Sequence, residues 1–420
     1  CTSGVFADSG SSISLNGTWE LSYWMKILYY TWNEITKADV VSNLQRMGHD
    51  ITLFTHNIKN YIKDVDFLND MEEKIVEEKK KQIPFEIIFS CNFIPLISKI
   101  ALRNKIPYVS WTYDSPCMTM YSEMIFNPYN YMFHFDWSET ERLKSLGVSN
   151  IYHLPLAVDE KRITQVINNA CNVSSELKNA GVSFMGNLYN DEVDLTTDVT
   201  GLPKYEKGYL EGIMRAQSLI SGSDLLEEML DDVLAERLGH YINFTKEEEL
   251  FVNDRDMILN IVKKMISSRE RINILKELAG RLPVTLYSQS SLCNIPGVSQ
   301  YGYIDYEHDM PVMFANSCIN LNITLRNIKT AIPLRALDIM GVGGFLLTNY
   351  CPELSEYMTD GTEFVSYSDA GDCVEKAVYY MQHEELRKRI ADSGRKKVTE
   401  LFTYDIQLGK MFQILRKEIS

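Results

Sequence analysis

From Met25 onward the chain alternates short apolar runs with amphipathic stretches, and the two patterns predict different elements. Ile27–Tyr30, Ile51–Thr55, Phe85–Ser90, Tyr108–Trp111 and Tyr131–Phe135 are brief runs rich in β-branched and aromatic residues. That is the pattern of strands buried on both faces of a parallel sheet. Between them, Val40, Val41, Leu44 and Met47 recur at helical spacing and stop at Gly48. Asp70–Gln82 reads as a helix with a solvated charged face, and Ile94–Leu102 and Glu139–Leu146 as two more. Strand and helix alternate in this way over residues 25–160, which predicts one doubly wound α/β domain.

A polar, Asn-rich stretch follows as far as Ala180 and reads as a hinge. The strand pattern resumes at Gly181–Leu188, Val284–Tyr287, Cys318–Ile323, Phe345–Thr348 and Phe364–Tyr367. Helices are expected at Met310–Asn316, from Pro333 to Met340, and at Glu353–Tyr357, Asp372–Gln382, Glu384–Thr399 and Tyr404–Glu418. Residues 181–400 thus form a second α/β domain. Residues 203–280 interrupt it with a helical, acidic insertion whose Glu227, Glu228, Asp231, Asp232 and Glu247–Glu249 read as solvated faces. Residues 401–420 supply a last helix.

Length and composition narrow the function classes. A chain of 420 residues, 45% hydrophobic and 24% charged, fits two ordinary domains. The net charge of −15 argues against nucleic acid and anionic membranes as partners, so any phosphate site must be local. No apolar run reaches the roughly 20 residues of a membrane span. The eight cysteines form no CxxC pair and the seven histidines no HxxxH or HExxH spacing. The expectation is therefore reduced thiols, a cytoplasmic location and no structural metal. Asn243-Phe244-Thr245 is a glycosylation sequon, with little meaning in such a protein.

Residues 1–24 do not fit this scheme, because Met25 runs straight into a strand. Ile13–Tyr23 resembles the opening strand of the sugar-binding domain of family-2 glycoside hydrolases. Two readings stand, a foreign leader or a real extension.

The most informative stretch is Pro333–Asn349, PLRALDIMGVGGFLLTN. Pro333 suits a helix start, Leu334, Leu337 and Met340 give its buried face, and Gly341, Gly343 and Gly344 end it before a buried strand. A carboxylate, Asp338, and a guanidinium, Arg335, beside glycines can serve ribose hydroxyls and phosphate. The alternative is a plain helix cap followed by a core strand. The segment resembles the donor-site helix of GT-B glycosyltransferases, with Asp338 on the acidic position of the pattern (L)(E/D)xMxxG. The run Ile319–Phe345, with IPYVSWTYDSP, NYMFHFDWSE and IYHLPLAVD from Ile106–Asp159, resembles the spore-maturation (CgeB-like) glycosyltransferases. Retaining enzymes of that fold carry two glutamates eight positions apart. The first would fall near Thr330 and is absent here, so the motif does not support retention.

The resemblance implies a GT-B fold, two Rossmann-like domains facing a cleft, with acceptor on 25–160 and nucleotide-sugar donor on 181–400. It implies a metal-independent transfer from a nucleotide-sugar, expected to be UDP-linked, to a protein or polysaccharide acceptor, without a cofactor. Asp338 would bind the ribose, while Arg326, Lys329 and Arg335 would share the diphosphate. Gly186, Gly343 and Gly344 would let the backbone approach, and Tyr301 and Tyr303 would stack on the base. Each also has an ordinary structural reading, as surface charge, tight turn or core packing. Asp114, just past a strand end, is the first choice of base and His153 the second. Glu34 either faces the acceptor or complements a helix dipole. Two other functions fit a bilobed α/β chain: an exported sugar-binding lipoprotein anchored at Cys1, or a sugar-nucleotide epimerase.

Overall fold

The computed structural model describes residues 24–170, 174, 177–178, 181–190, 201–220, 222–241, 250–290 and 294–419. The leader, the sequon and Glu247–Glu249 lie outside the described residues, except for Trp24.

The first domain runs β1 (Lys26–Thr31), α1 (Lys37–Arg46), β2 (Asp50–Thr55), α2 (Val65–Lys80), β3 (Ile87–Cys91), α3 (Pro95–Asn104), β4 (Tyr108–Thr112), β5 (Asn130–His134), α4 (Trp137–Ser145) and β6 (Ile151–His153). The strands form one parallel sheet in the order β2-β1-β3-β4-β5-β6. β1, β3 and β4 are buried along their whole length, as their unbroken apolar character requires. The helix predicted from Asp70 begins earlier, at Val65, because Asp64 caps it by accepting from the Phe67 N–H at 3.1 Å.

The expected hinge after Asp159 begins instead with a helix, α5 (Glu160–Asn169). Asp159 caps it, accepting from the N–H groups of Lys161 and Arg162. Its face of Ile163, Val166 and Ile167 packs into the core. A majority of polar residues hid three apolar ones at helical spacing.

The second domain opens with β7 (Val182–Met185). The insertion follows as α6 (Lys204–Ser218), α7 (Leu225–Met229), α8 (Asp232–Gly239) and the long α9 (Asp254–Ala279). Then come β8 (Val284–Tyr287), β9 (Val298–Tyr301), α10 (Asp309–Asn316), β10 (Ile319–Asn322), α11 (Leu334–Gly341), β11 (Leu346–Asn349), α12 (Pro352–Tyr357), β12 (Val365–Tyr367), α13 (Ala370–Gln382), α14 (Glu384–Leu401) and α15 (Tyr404–Ile419). This sheet is also parallel, in the order β12-β11-β10-β7-β8-β9. Helix α9 serves two cores. Ile258, Val262 and Ile266 pack within the insertion, and Ile274, Leu275 and Leu278 pack on the sheet.

α15 returns to the first domain. Phe412 stacks on His49 with centroids 4.5 Å apart, and Tyr404 meets the edge of Trp111 at 5.8 Å. The protein is thus two doubly wound parallel α/β domains facing a cleft, with a helical insertion in the second: the GT-B architecture.

Gly343 and Gly344 need a correction. Gly343 takes φ +81° just past α11, and a Cβ on Gly344 would lie 2.6 Å from Asn320 Nδ2 and 3.0 Å from the Ile339 carbonyl. Both sit before the start of β11, at the end of the sheet away from the cleft. They let α11 turn tightly onto its strand and do not approach a ligand.

Candidate active site

In an open α/β sheet, ligands bind outside the carboxyl ends of the strands, where the strand order reverses. The first sheet reverses between β1 and β3, the second between β7 and β10. The loops leaving these four strands meet across one cleft of about 520 Å³. Trp32 follows β1, Asn92 follows β3, Tyr189 follows β7, and Leu325 and Ile328 follow β10. The insertion closes one side with Met257, Asn260, Ile261 and Lys264 of α9.

Asp114 lines this cleft. Asn92 holds it from below: Asn92 Nδ2 donates to Asp114 Oδ2 at 2.6 Å, and Asn92 Oδ1 accepts from the Tyr113 N–H at 3.0 Å. Asn92 does this from a left-handed backbone conformation, φ 59°. The Asp114 side chain is exposed along the cleft and has protein on its other sides, which leaves its carboxylate partly desolvated. That partial desolvation raises its pKa above the ordinary carboxylate value, against the Asn92 hydrogen bond and the charge of Lys264. A carboxylate so placed is suited to accept a proton.

Its two rivals are engaged elsewhere. Glu34 is buried and accepts from Tyr29 Oη at 2.6 Å, Thr31 Oγ1 at 2.9 Å and the Trp32 N–H at 3.2 Å. It shapes the loop after β1 and reaches no acceptor. His153 Nε2 lies 3.1 Å from the Phe135 carbonyl and 3.2 Å from Glu353 Oε2. A carbonyl only accepts, so that nitrogen carries its proton and cannot take another. The same interdomain junction holds Thr330, whose hydroxyl lies 2.7 Å from Asp136 Oδ1 and 2.9 Å from Glu353 Oε1.

The three cations expected at the diphosphate separate into two groups. Arg326 makes a two-pronged ion pair with Glu270, Nε to both oxygens at 3.1 Å and Nη2 to Oε1 at 2.6 Å. It also donates to the Ile220 carbonyl. Lys329 pairs with Glu227 at 2.5 Å. Both cations are neutralised by the insertion, around a smaller pocket of about 210 Å³ that also holds Lys263 and Asp224. Arg335 differs. Its half-buried guanidinium makes no hydrogen bond or ion pair among the described residues. It lies against the turn after β7, where a Cβ on Gly186 would come within 3.3 Å of Arg335 Nη1.

Arg271 of α9, which sequence reading passed over, stands beside it. Arg271 is buried, donates to the carbonyls of Ile323 and Asn187, and lies 5.3 Å from the centre of the Tyr189 ring. It has no carboxylate at ion-pair distance among the described residues. Burial, and then the charge of Arg335, push its pKa down to about 10. Burial likewise lowers that of Arg335. Two crowded guanidiniums with no carboxylate at ion-pair distance among the described residues favour an anion beside them. The Tyr189 ring, on the cleft wall, also lies 5.7 Å from Lys264 Nζ.

Asp338 does not reach the cleft. It is 2% exposed and accepts from Tyr306 Oη at 3.2 Å. Over the Tyr306 ring lies Arg162, which is clamped to Asp39 at 2.5 and 2.8 Å and to the Glu307 carbonyl at 2.7 Å. Burial raises the Asp338 pKa to about 7. This arrangement makes Asp338 part of a polar contact between the domains and leaves no path to a ribose. Tyr301 is half-buried and stacks on Tyr287 at 5.6 Å, while Tyr303 is 58% exposed.

Residues 269–413 match the family model described as "Glycosyl transferase-like". The matched stretch, from α9 to α15, is similar to a glycosyltransferase-like domain. No curated protein matches the chain. Among solved structures, the chain is similar to a glycosyltransferase from Rickettsia africae ESF-5, at 11% identity and TM-score 0.48, covering 95% of this chain and 99% of that one. It is similar to sucrose-phosphate synthase from Thermosynechococcus elongatus, at 11% identity and TM-score 0.49, covering 94% and 98%. It is also similar to HepE of Anabaena in complex with UDP-glucose, at 9% identity and TM-score 0.48, covering 94% and 100%.

The missed residues left weak signals. Asn92 follows a strand end in the pattern FSCN, and Arg271 is one of several basic residues on a long helix. Neither position is distinctive until the sheets bring the strand ends together. No helix among the described residues is long and apolar enough to cross a membrane.

Proposed function

We propose that this protein transfers a sugar from a nucleoside-diphosphate donor to a hydroxyl acceptor. Arg335 and Arg271 anchor the diphosphate, and Asp114 is the base. The observation that carries the reading is a pair of guanidiniums beside the turn after β7, at one strand-order reversal, with no carboxylate at ion-pair distance among the described residues, together with the cleft-lining carboxylate of Asp114 at the other. The acceptor oxygen bonds to C1 of the donor sugar, and the C1–O bond to the diphosphate breaks with its electron pair. The acceptor proton passes to Asp114. Negative charge growing on the leaving diphosphate is met by guanidiniums that are already in place. A sugar-binding protein without chemistry leaves Asp114 and the guanidinium pair without roles.

The finer reading is a metal-independent, cytoplasmic enzyme of the CgeB-like type, with UDP as the first nucleotide to test and a protein or polysaccharide acceptor. The test is a thermal-melt series with UDP, GDP, dTDP and CDP in the presence of a chelator. A ligand at 100 times its Kd stabilises by about 2.7 kcal/mol, a shift of roughly a few degrees. Asp114→Ala should keep that shift while turnover falls by about 10²–10⁴-fold. Full turnover in Asp114→Ala removes the base, and the absence of any nucleotide shift removes the donor site.

A further inference from the structure

The cleft around Asp114 has a chemical character that the donor reading does not use. Its walls on the first-domain side are aromatic: Trp32 and Tyr113 are half-buried and Tyr61 is 40% exposed, all three facing the cleft. Among its polar groups, Asp114 and Asn260 have capacity to spare on facing walls. Asp114 Oδ1 makes no hydrogen bond among the described residues, because the Asn92 amide takes the other oxygen. On the facing wall, Asn260 Nδ2 has only the weak contact to Met118 Sδ at 3.6 Å, while its Oδ1 is held by Asn327.

Flat aromatic walls with hydrogen-bonding groups between them match a pyranose ring. One face of such a ring is C–H bonds, which aromatic surface removes from water, and its rim is hydroxyls, which need partners once buried. A peptide fits less well. The cleft is built from strand ends and offers no strand edge for an extended backbone to pair with.

We infer that the acceptor is a saccharide. Its ring lies between Trp32 and Tyr113, and the attacking hydroxyl rests on Asp114 Oδ1. A neighbouring hydroxyl accepts from Asn260 Nδ2. This rests on the proposed transfer reaction and names its acceptor class. The insertion, through Asn260 and Met257 of α9, then forms the wall that selects the acceptor.

The test is saturation-transfer NMR on the whole protein with UDP saturating. The probes are the methyl glycosides of glucose, galactose, mannose and N-acetylglucosamine, and a mixed Ser/Thr/Tyr peptide set. UDP binding is followed separately by melting. At least one glycoside should bind, with its signal strongest on the protons of its C–H face. Trp32→Ala should weaken it at least about 10-fold and Trp32→Tyr far less, with the UDP shift unchanged. If Trp32→Ala fails to fold, Asn260→Ala applies the same test from the facing wall. UDP binding with no glycoside binding overturns the inference. So does peptide binding in place of glycoside, or displacement of the glycoside by UDP, which would give the cleft to the donor. Glycoside binding without any UDP shift keeps the saccharide site and sinks the donor reading instead. Failure of both ligands overturns both.

Discussion

Arg326 lies in the loop from β10 into α11 and Arg335 in the first turn of α11, and they meet opposite fates. Arg326 points toward the insertion, where Glu270 takes its guanidinium with two-pronged geometry. Arg335 points toward the turn after β7, where there is a glycine and another arginine but no carboxylate at ion-pair distance among the described residues. The first is a structural clasp between a helical insertion and the sheet it interrupts. The second has no such partner among the described residues, which is why the proposed donor site rests on it. Sequence placed both in one role, because a basic residue near a strand end carries no mark of what faces it.

The difference can be broken most sharply at the clasp. The Arg326–Glu270 pair is about 15% exposed on both sides. Arg326→Ala strands a half-buried carboxylate and should cost about 3 kcal/mol of stability. Arg326→Met with Glu270→Leu should recover most of that in a denaturant titration, and neither variant should change nucleotide affinity. If Arg326→Ala weakens nucleotide binding in a folded protein, the clasp reading is wrong. Next in size is Arg335→Ala. A charge-assisted hydrogen bond is worth about 1.5–3 kcal/mol, so the Kd for UDP should rise roughly 10–100-fold, with little loss of stability. Calorimetric titration separates the two arginines directly.

The smallest effect sharpens the role of Asp338. Its pKa is about 7 in the folded protein and about 4 in an unfolded chain. Between those values the folded state holds the extra proton, so this group's contribution to stability falls as pH rises from about 4 to about 7. Asp338→Asn keeps an acceptor for the Tyr306 hydroxyl and cannot ionise. Relative to wild type it should gain on the order of 1–2 kcal/mol on going from pH 6 to pH 8. Parallel melting curves at both pH values would show that Asp338 does not titrate in its buried contact.

The same contrast explains which parts of the site were legible. Asp114 could be picked out because a carboxylate after a strand end, followed by a turn, is a local pattern. Glu34 satisfies the same pattern and His153 also stands at a strand end, yet one closes its own loop and the other is tied to Glu353 across the domain interface. Only their partners distinguish them. Asn92 and Arg271 were invisible because their significance depends on Asp114 and Arg335, which are far away in sequence. α5 was overlooked for a simpler reason, since its apolar face is three residues wide in a polar segment.

The sequence by itself determined the strand and helix periods, the two α/β halves, the insertion and a last helix. Those follow from local apolar spacing, which each segment carries whatever surrounds it. The order of strands, and with it the meeting of two reversal points across one cleft, was decided by tertiary structure. So was the pairing of charges. Whether an arginine is neutralised by Glu270 or left beside Gly186 depends on contacts between residues far apart in the chain, and charge at a distance leaves no period to read.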